Sequence, residues 1–243
     1  MLSFNILKRG RPVSKIKAII LSAGKGRRMK TDIPKQYLSV KGHPVIYYTL
    51  KSFQESNVDE IILVTGKDEL EEVKRDIVDK YGFEKVKNIV SGGKERYDSV
   101  MQGLENVEDE DIVLVHDGAR PLITVIEINK IIEEVKISGA CIAAVPAKDT
   151  IKYVNENGEV EDTPDRAKMW LVQTPQGFYA KILKNAYGEM KRHDDETITD
   201  DSMVVEKYTD KRVKVVKTSY DNIKVTTPED IVYMETVLQN RKW

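Results

Sequence analysis

Short apolar runs alternate with helical patterns along the first 145 residues of the chain. The runs are rich in isoleucine and valine and are bounded by turn residues, which predicts buried strands. Between them, apolar positions recur at helical spacing, which predicts amphipathic helices. The predicted strands lie at 17–22, 60–65, 87–91, 111–116 and 141–145, and the predicted helices at 44–56, 67–80, 95–106 and 125–138.

This alternation predicts an α/β fold with a Rossmann-like, mostly parallel sheet and helices on both faces. Near-continuous apolar strands need cover on both faces, and the crossovers between parallel strands are right-handed. Ligands bind such sheets at the carboxyl ends of the strands. The loops after the first, third and fourth strands are therefore the expected place of a functional site.

The pattern changes after Pro146. An Asn157-Gly158 turn between alternating stretches predicts a β-hairpin within 151–162. A hairpin of this size is not an independent domain, so we interpret residues 148–168 as a protruding dimerisation arm. The later segments predict a strand at 168–174, a helix at 179–190, a short helix at 199–207, a strand at 213–217 and a last helix capped by Thr227 and Pro228.

The domain organisation follows from the same pattern. Residues 1–15 carry no clear period and are predicted to be a flexible extension, whereas residues 16–243 are predicted to form a single domain. No run approaches the roughly 18 apolar residues of a membrane span, and no secretory signal is visible. We therefore expect a cytoplasmic protein.

Composition narrows the classes of partner. The net charge is −1, which argues against general binding to nucleic acid or to a membrane surface. The chain has one cysteine, which excludes an internal disulfide. Cys141 lies in the apolar run ACIAAV and is predicted to be buried and inert.

The segment after the first strand, AIILSAGKGRRMKTDIPKQY at 18–37, carries the most chemistry. A strand that ends in a glycine turn exposes backbone N–H groups to an anion. Cations directly behind such a turn can neutralise charge that grows on phosphorus during a transfer reaction. The segment therefore predicts a polyphosphate site, with glycines at 24 and 26 and cations at Lys25, Arg27, Arg28, Lys30 and Lys35.

Other interpretations of this segment are weaker. A dinucleotide fingerprint needs a third glycine, which is missing after Gly24-Lys25-Gly26, and the P-loop string does not occur. A plain tight turn or a solvated basic loop stays possible at this point. The paired arginines and the Pro34-Lys35-Gln36 string are harder to explain by either alternative.

A second candidate follows the predicted strand at 111–116. Asp117 comes directly after it, and a carboxylate at this edge can hold Mg²⁺ together with substrate phosphate. The structural alternative is an N-cap or turn aspartate. Arg120 can bridge phosphate or simply pair with Asp117, and His116 is predicted to be a packing residue rather than a ligand.

A third candidate follows the strand at 87–91. Gly92 and Gly93 would let a flat base or a ribose approach the backbone, and Ser99 lies one turn into the next helix. A nucleophilic triad is not supported, because Ser22 lacks the G-x-S-x-G elbow. Histidine and cysteine spacings typical of metal sites are absent from the sequence.

Seven strings together resemble the 2-C-methyl-D-erythritol 4-phosphate cytidylyltransferase family of the non-mevalonate route of isoprene biosynthesis. The resemblance covers about residues 16–240, in the order of the family, and the set of seven is specific. They are SAGKGRRMKTDIPKQY, VSGGKERYDSV, VHDGARP, PAKDTIK, PDRAKMWLVQTPQGF, TITDDSMVVE and NIKVTTPED.

The resemblance implies that CTP and methylerythritol phosphate give CDP-methylerythritol and pyrophosphate. The substrate phosphate would attack the α-phosphorus in line, which fits the lack of a triad. Mg²⁺ or another divalent cation is the implied cofactor, and a homodimer through the hairpin arm is the implied assembly. Ribitol-5-phosphate cytidylyltransferase is the nearest alternative, and a nicotinamide-binding oxidoreductase is a remote one.

The resemblance also implies roles for single residues. Arg28 and Lys35 would be the catalytic cations. Thr150, Arg166 and Lys224 would position methylerythritol phosphate, with Thr150 and Arg166 supplied by the partner subunit. Asp117 would hold the metal, and the residues around CTP would be Ser22, Ala23, Gly24, Lys25, Gly26, Gly93, Arg96, Ser99, Asp117 and Arg120.

Overall fold

A seven-stranded sheet forms the centre of the computed structural model, which describes residues 14–24, 34–193 and 197–241. Short 3₁₀ turns occupy Lys35–Tyr37 and Arg166–Lys168. In chain order the other elements are β1 (Ile16–Leu21), β2 (Ser39–Val40), β3 (His43–Pro44), α1 (Val45–Glu55), β4 (Glu60–Thr65), α2 (Leu70–Val73, continued by a π-helical turn at Lys74–Asp79), β5 (Val86–Ser91), α3 (Arg96–Leu104), β6 (Ile112–Asp117), α4 (Val125–Ser138), β7 (Ala140–Pro146), β8 (Tyr153–Val154), β9 (Val160–Asp162), β10 (Trp170–Tyr179), α5 (Ala180–His193), α6 (Asp201–Tyr208), β11 (Lys214–Lys217) and α7 (Pro228–Asn240).

The strand order in this sheet is β11-β7-β10-β6-β1-β4-β5. β1 pairs in parallel with β4 and β6, β4 with β5, and β7 with β11. β10 alone among these strands runs antiparallel to both neighbours, β6 and β7. The predicted α/β class and the mostly parallel sheet are confirmed.

β10 differs from its prediction in length. The sequence pattern predicted a strand that ends at 174, but β10 continues to Tyr179. Its second half, QTPQGF, contains buried polar side chains, which an apolar pattern cannot detect. Gln173 accepts hydrogen bonds from Thr218 and Asn222, and Gln176 bonds Asp200 and the Ser202 amide. These partners offset the cost of burial.

Alternate residues of the strands face two apolar cores. Ala18 and Ile20 point to the core covered by α1 and α4, while Ile19 points to the core covered by α3 and α5. All three side chains are fully buried. The sheet is thereby covered by helices on both faces. The loops at the carboxyl ends of the strands carry the polar residues.

Local signals define the ends of several helices. Thr227 and Asp230 form a capping box at the start of α7, with Pro228 at its first position, as predicted. Thr124 and Glu127 form the same box at α4. Gly139 ends α4 in the left-handed region at φ 80°, where glycine is favoured.

At the amino ends of the strands, a cluster of charged side chains holds β1, with Lys17 and Asp111 buried and Lys15 half exposed. Lys17 Nζ lies 3.1 Å from Asp111, and Lys15 Nζ lies 2.5 Å from Glu60. The Lys15 and Glu108 amides both donate to the Asp111 carboxylate. Although burial alone would raise the pKa of Asp111, these amides and Lys17 lower it.

β8 and β9 pair as the predicted hairpin within 151–162. Gly158 has φ 81° at its turn. Tyr153, Val154 and Val160 are each more than half exposed on it. None of the helices in the described parts of the chain is long and apolar enough to cross a membrane.

Candidate active site

A cavity of about 350 Å³ opens at the carboxyl ends of β1, β5 and β6. This is the edge of the sheet at which the sequence predicted a site. The cavity is lined by Leu21, Ser22, Ala23, Gly24, Lys35, Gln36, Gly93, Lys94, Glu95, Arg96, Ser99, Asp117, Ala119, Lys224 and Thr226.

Two glycines bring the chain segments around this cavity close together. A Cβ on Gly92 would lie 2.5 Å from the Ala23 Cβ and 2.8 Å from the Ser99 Oγ. A Cβ on Gly93 would lie 2.2 Å from the Asp98 Cβ. Larger residues are therefore excluded by the protein itself. The predicted role of these glycines is to let a base or ribose approach the backbone, and their close packing against Ala23, Ser99 and Asp98 is by itself a reason for glycine at both positions.

Asp117 is the central acid of the cavity and faces three cations. Its carboxylate lies 2.9 Å from Lys224 Nζ and 3.6 Å from both the Arg96 and the Arg120 guanidinium. Burial alone would raise the pKa of Asp117, but the three cations hold it well below its usual range. Asp117 is therefore an ionised carboxylate, and its amide donates to Thr174 Oγ1 at 3.0 Å.

Arg96 is held between two acids. Its Nη2 lies 2.7 Å from Asp201, which is fully buried at the start of α6. The Tyr187 hydroxyl donates to the other oxygen of Asp201 at 2.6 Å. Burial opposes the charge of Arg96, but Asp201 and Asp117 raise its pKa above the ordinary value, so the guanidinium stays charged. Asp201 was not among the predicted site residues, although it lies in the TITDDSMVVE string that carries the resemblance.

The 3₁₀ turn at Lys35–Tyr37 brings two polar side chains into the cavity wall. Lys35 Nζ donates to the Val225 carbonyl at 2.8 Å. Gln36 is 3% exposed, and its Nε2 donates to the Ser22 carbonyl at 2.7 Å and to the Gly24 carbonyl at 3.2 Å. Gln36 was not among the predicted site residues, because an amide in a charged string carries no distinctive pattern.

His116 has the packing role that the sequence predicted. Thr174 Oγ1 already accepts from the Asp117 amide, so its own hydroxyl proton is available to the Nδ1 of His116 at 2.9 Å. Nε2 then donates to the Arg120 carbonyl at 3.3 Å. Burial lowers the pKa of His116 to about 3, so the ring is neutral.

The predicted site residues fall into four groups. Arg120 lies behind Asp117 rather than in the cavity lining, and its Nη1 donates to the Asn222 carbonyl. Thr150 and Arg166 are exposed near the hairpin and do not line the cavity of their own chain. Lys25, Gly26 and Arg28 lie outside the described residues. The cavity brings together Ser22, Ala23, Gly24, Lys35, Gly93, Arg96, Ser99, Asp117 and Lys224.

Several cavity residues were absent from the prediction, notably Lys94, Glu95 and Thr226. Counted over the described lining, four cations face two acids. A concave site with an excess of positive charge and a glycine loop is suited to a polyanion.

The described residues do not include a cluster of side chains that could bind a metal without a ligand's help. Within residues 14–24, 34–193 and 197–241, no three histidine, cysteine or acidic side chains are grouped for a metal. Asp117 supplies one ionised carboxylate at the cavity. Mg²⁺ often uses one or two carboxylates and completes its shell with substrate phosphates and water, so this donor fits a metal that arrives with a nucleotide.

Comparison with known proteins gives one consistent family. The family model for 2-C-methyl-D-erythritol 4-phosphate cytidylyltransferase matches residues 16–240. Proteins of that name from Lachnoclostridium phytofermentans and Alkaliphilus oremlandii are 46% and 49% identical to this chain, over 95% of it and over 99% and 98% of their own lengths. The crystal structure of 4-diphosphocytidyl-2C-methyl-D-erythritol synthase from Anaerococcus prevotii superposes with a TM-score of 0.81 at 36% identity, covering 93% of this chain and 96% of that one.

Proposed function

The chain belongs to the 2-C-methyl-D-erythritol 4-phosphate cytidylyltransferase family, and from this premise we propose how its cavity performs the reaction. The protein transfers CMP from CTP to 2-C-methyl-D-erythritol 4-phosphate and yields CDP-methylerythritol and pyrophosphate. The observation that carries the proposal is the cavity at the carboxyl ends of the strands, where four cations face two acids.

The mechanism needs no nucleophile from the protein. A phosphate oxygen of the polyol substrate attacks the α-phosphorus of CTP in line, and the bond from that phosphorus to the bridging oxygen of pyrophosphate breaks. Because the nucleophile is already an anion, the task of the protein is to bring two anions together and to stabilise the charge of the transition state. Lys35 is the described cation proposed for that task, and Arg28 is its proposed companion outside the described residues.

CTP is proposed to bind along the segment after β1 and the start of α3. Ala23 and Gly24 offer backbone amides to the phosphates, with Ser22 before them and Lys25 and Gly26 after them. Gly93, Arg96 and Ser99 also line the cavity and are proposed to contact the cytosine and ribose. Asp117 lies 3.6 Å from Arg96, and Arg120 pairs with it from outside the lining.

Mg²⁺ is the proposed divalent cation, with Asp117 as its protein ligand. When bound it would neutralise charge on the triphosphate. Lys224 forms the closest ion pair with Asp117, and its side chain is 38% exposed. We propose that Lys224 can leave Asp117 and contact the phosphate of the second substrate.

A homodimer completes the proposed site. Tyr153, Val154 and Val160 on the hairpin and Leu171 and Val172 on β10 are exposed apolar side chains. We propose that a partner subunit covers them, since large exposed apolar areas often mark protein–protein contacts. Thr150 and Arg166 lie next to it and would reach the cavity of the partner subunit, where they position methylerythritol phosphate.

Pyrophosphate release tests the proposed reaction. The purified protein is incubated with CTP, Mg²⁺ and either methylerythritol phosphate or ribitol 5-phosphate. We expect pyrophosphate with the erythritol substrate and little with ribitol 5-phosphate. Release with ribitol 5-phosphate alone would contradict the proposed substrate, and no release with either would contradict the proposed chemistry.

A mixture of two inactive variants tests the shared site. Lys35→Ala and Arg166→Ala should each lose activity alone, because each removes one half of the site. After mixing and subunit exchange, hybrid dimers contain one intact site and activity should return. No recovery, with hybrid dimers shown by mass spectrometry, would contradict the assignment of Arg166 to the partner site.

The predicted single domain at 16–243 and the cytoplasmic location stay predictions.

A further inference from the structure

Gln36 joins the two ends of the segment that carries the candidate phosphate loop. Its side chain comes from the 3₁₀ turn after that segment, and it reaches back to the backbone before it. The Nε2 group donates to the carbonyl oxygens of Ser22 and Gly24. One buried amide thereby bonds two peptide units that lie 14 and 12 residues earlier in the chain.

The bond to Ser22 fixes the direction of a peptide plane. The Ser22–Ala23 peptide is trans, and in a trans peptide the C=O and N–H groups point to opposite sides. Since the Ser22 carbonyl points to Gln36, the Ala23 N–H points away from it. The Ser22 amide is held separately, because it donates to the Val64 carbonyl at 2.7 Å. The backbone at Ser22 is thus bonded on both sides.

The amides that follow are available to a ligand. Among the described residues, neither the Ala23 nor the Gly24 N–H forms a hydrogen bond with another backbone group. Both residues line the cavity. Amides that are unpaired and already oriented bind an anion at a lower entropic cost than amides that must first be ordered.

We infer that Gln36 is a positioning residue that presets the Ala23 amide for the triphosphate of CTP. The inference rests on the proposed function for the identity of the ligand. Gln36 acts through the backbone it holds, so its loss should weaken the binding of CTP. The affinity for the polyol phosphate, which is proposed to bind at Lys224 and the partner's hairpin, should change little.

Gln36→Glu is the most informative variant, because it removes the amide donor and keeps the size and shape of the side chain. At neutral pH a carboxylate has no proton to donate and would face two carbonyl oxygens. The lost hydrogen bonds and the new repulsion should raise the dissociation constant for CTP about tenfold or more. Protonation restores an O–H donor at the same place, so affinity should recover as the pH falls toward 5.

Two further variants separate positioning from folding. Gln36→Ala also loses the donor but has no group to protonate, so its affinity should not recover at low pH. Gln173→Glu is the matched control, because the buried Gln173 also donates to a backbone carbonyl, that of Ser219, but does not line the cavity. It should lower the melting temperature without a comparable loss of CTP affinity.

Calorimetric titration of CTP with Mg²⁺ into each protein, between pH 5 and 8, is the test. The inference predicts weaker binding for both Gln36 variants at pH 8 and recovery at pH 5 for Gln36→Glu only, relative to wild type at the same pH. Wild-type affinity in both Gln36 variants, or an equal loss in Gln173→Glu, would overturn the inference alone. A wild-type protein that does not bind CTP would overturn the proposed function and this inference with it.

Discussion

The two ends of the central sheet differ in how their charges are balanced. At the amino ends, Lys15 and Lys17 pair with Glu60 and Asp111, so two cations meet two acids at close range. At the carboxyl ends, four cations meet two acids around an open cavity. Balanced charges such as the buried Lys17–Asp111 pair hold strands in place, whereas an excess of positive charge in a cavity suits an anionic ligand. The same residue types therefore hold strands at one end and are proposed to bind a ligand at the other.

The largest expected effect is on Lys35 at the carboxyl end. Lys35→Ala should lower kcat by on the order of 10²–10³, because a cation aimed at transition-state charge is lost. Steady-state kinetics and a thermal melt measure activity and folding separately. Lys85→Ala is the matched control, since Lys85 Nζ also donates to a backbone carbonyl, that of Ser56, away from the cavity. Near-normal turnover in Lys35→Ala would remove Lys35 from the mechanism.

Substitution of one aspartate at each end of the sheet tests whether the two ends have different roles. Asp117→Asn should lower kcat/KM by on the order of 10², since it neutralises the cavity carboxylate that faces Lys224, Arg96 and Arg120. Asp111→Asn should instead cost about 2 kcal/mol of unfolding free energy, because the buried Lys17 loses its nearer acid at 3.1 Å and keeps Glu60 at 3.7 Å. Denaturant melts of both variants measure the free energy of unfolding, and steady-state kinetics measure kcat/KM. A loss of kcat/KM in folded Asp111→Asn as large as in Asp117→Asn would break the distinction between the two ends.

The sequence predicted the apolar elements of the fold better than it predicted the polar contacts of the site. The apolar strands and the helices were predicted closely, because periodic burial leaves a periodic pattern, as in Ile19 and Ile20. The cavity was located because Gly24 and Asp117 directly follow such strands. Gln36 and Asp201 were missed because their importance lies in contacts with residues distant in sequence. The second half of β10 was missed because its buried groups are polar.

A smaller effect is expected from salt, which should change CTP affinity at the carboxyl end more than it changes stability at the amino end. Raising NaCl from about 0.05 M to about 0.5 M shortens the screening length, so CTP affinity should fall several-fold. The buried Lys17–Asp111 pair is screened much less, so the melting temperature of the free protein should change little. Titrations and melts at both salt concentrations test this. A CTP affinity independent of salt would argue against a charge-driven site.

The smallest expected effect concerns acid stability at the amino end. The pKa of Asp111 is lower in the folded protein than in the unfolded chain, so its stabilising contribution is present above about pH 4. That contribution is lost as the pH falls through the folded-state value. Between pH 7 and 3, the melting temperature of wild type should therefore fall more steeply than that of Asp111→Asn. Parallel curves would show that Asp111 does not contribute in this way.

The most direct test of the proposed site is a crystal structure of the protein with CTP and Mg²⁺. We expect the triphosphate to lie in the cavity at the carboxyl ends of β1, β5 and β6. Its phosphates should be within hydrogen-bonding distance of the Ala23 amide and of Lys35, and the metal should contact Asp117. A nucleotide bound elsewhere on the molecule, with this cavity free of phosphate and metal, would show that the cavity is not the site of the reaction.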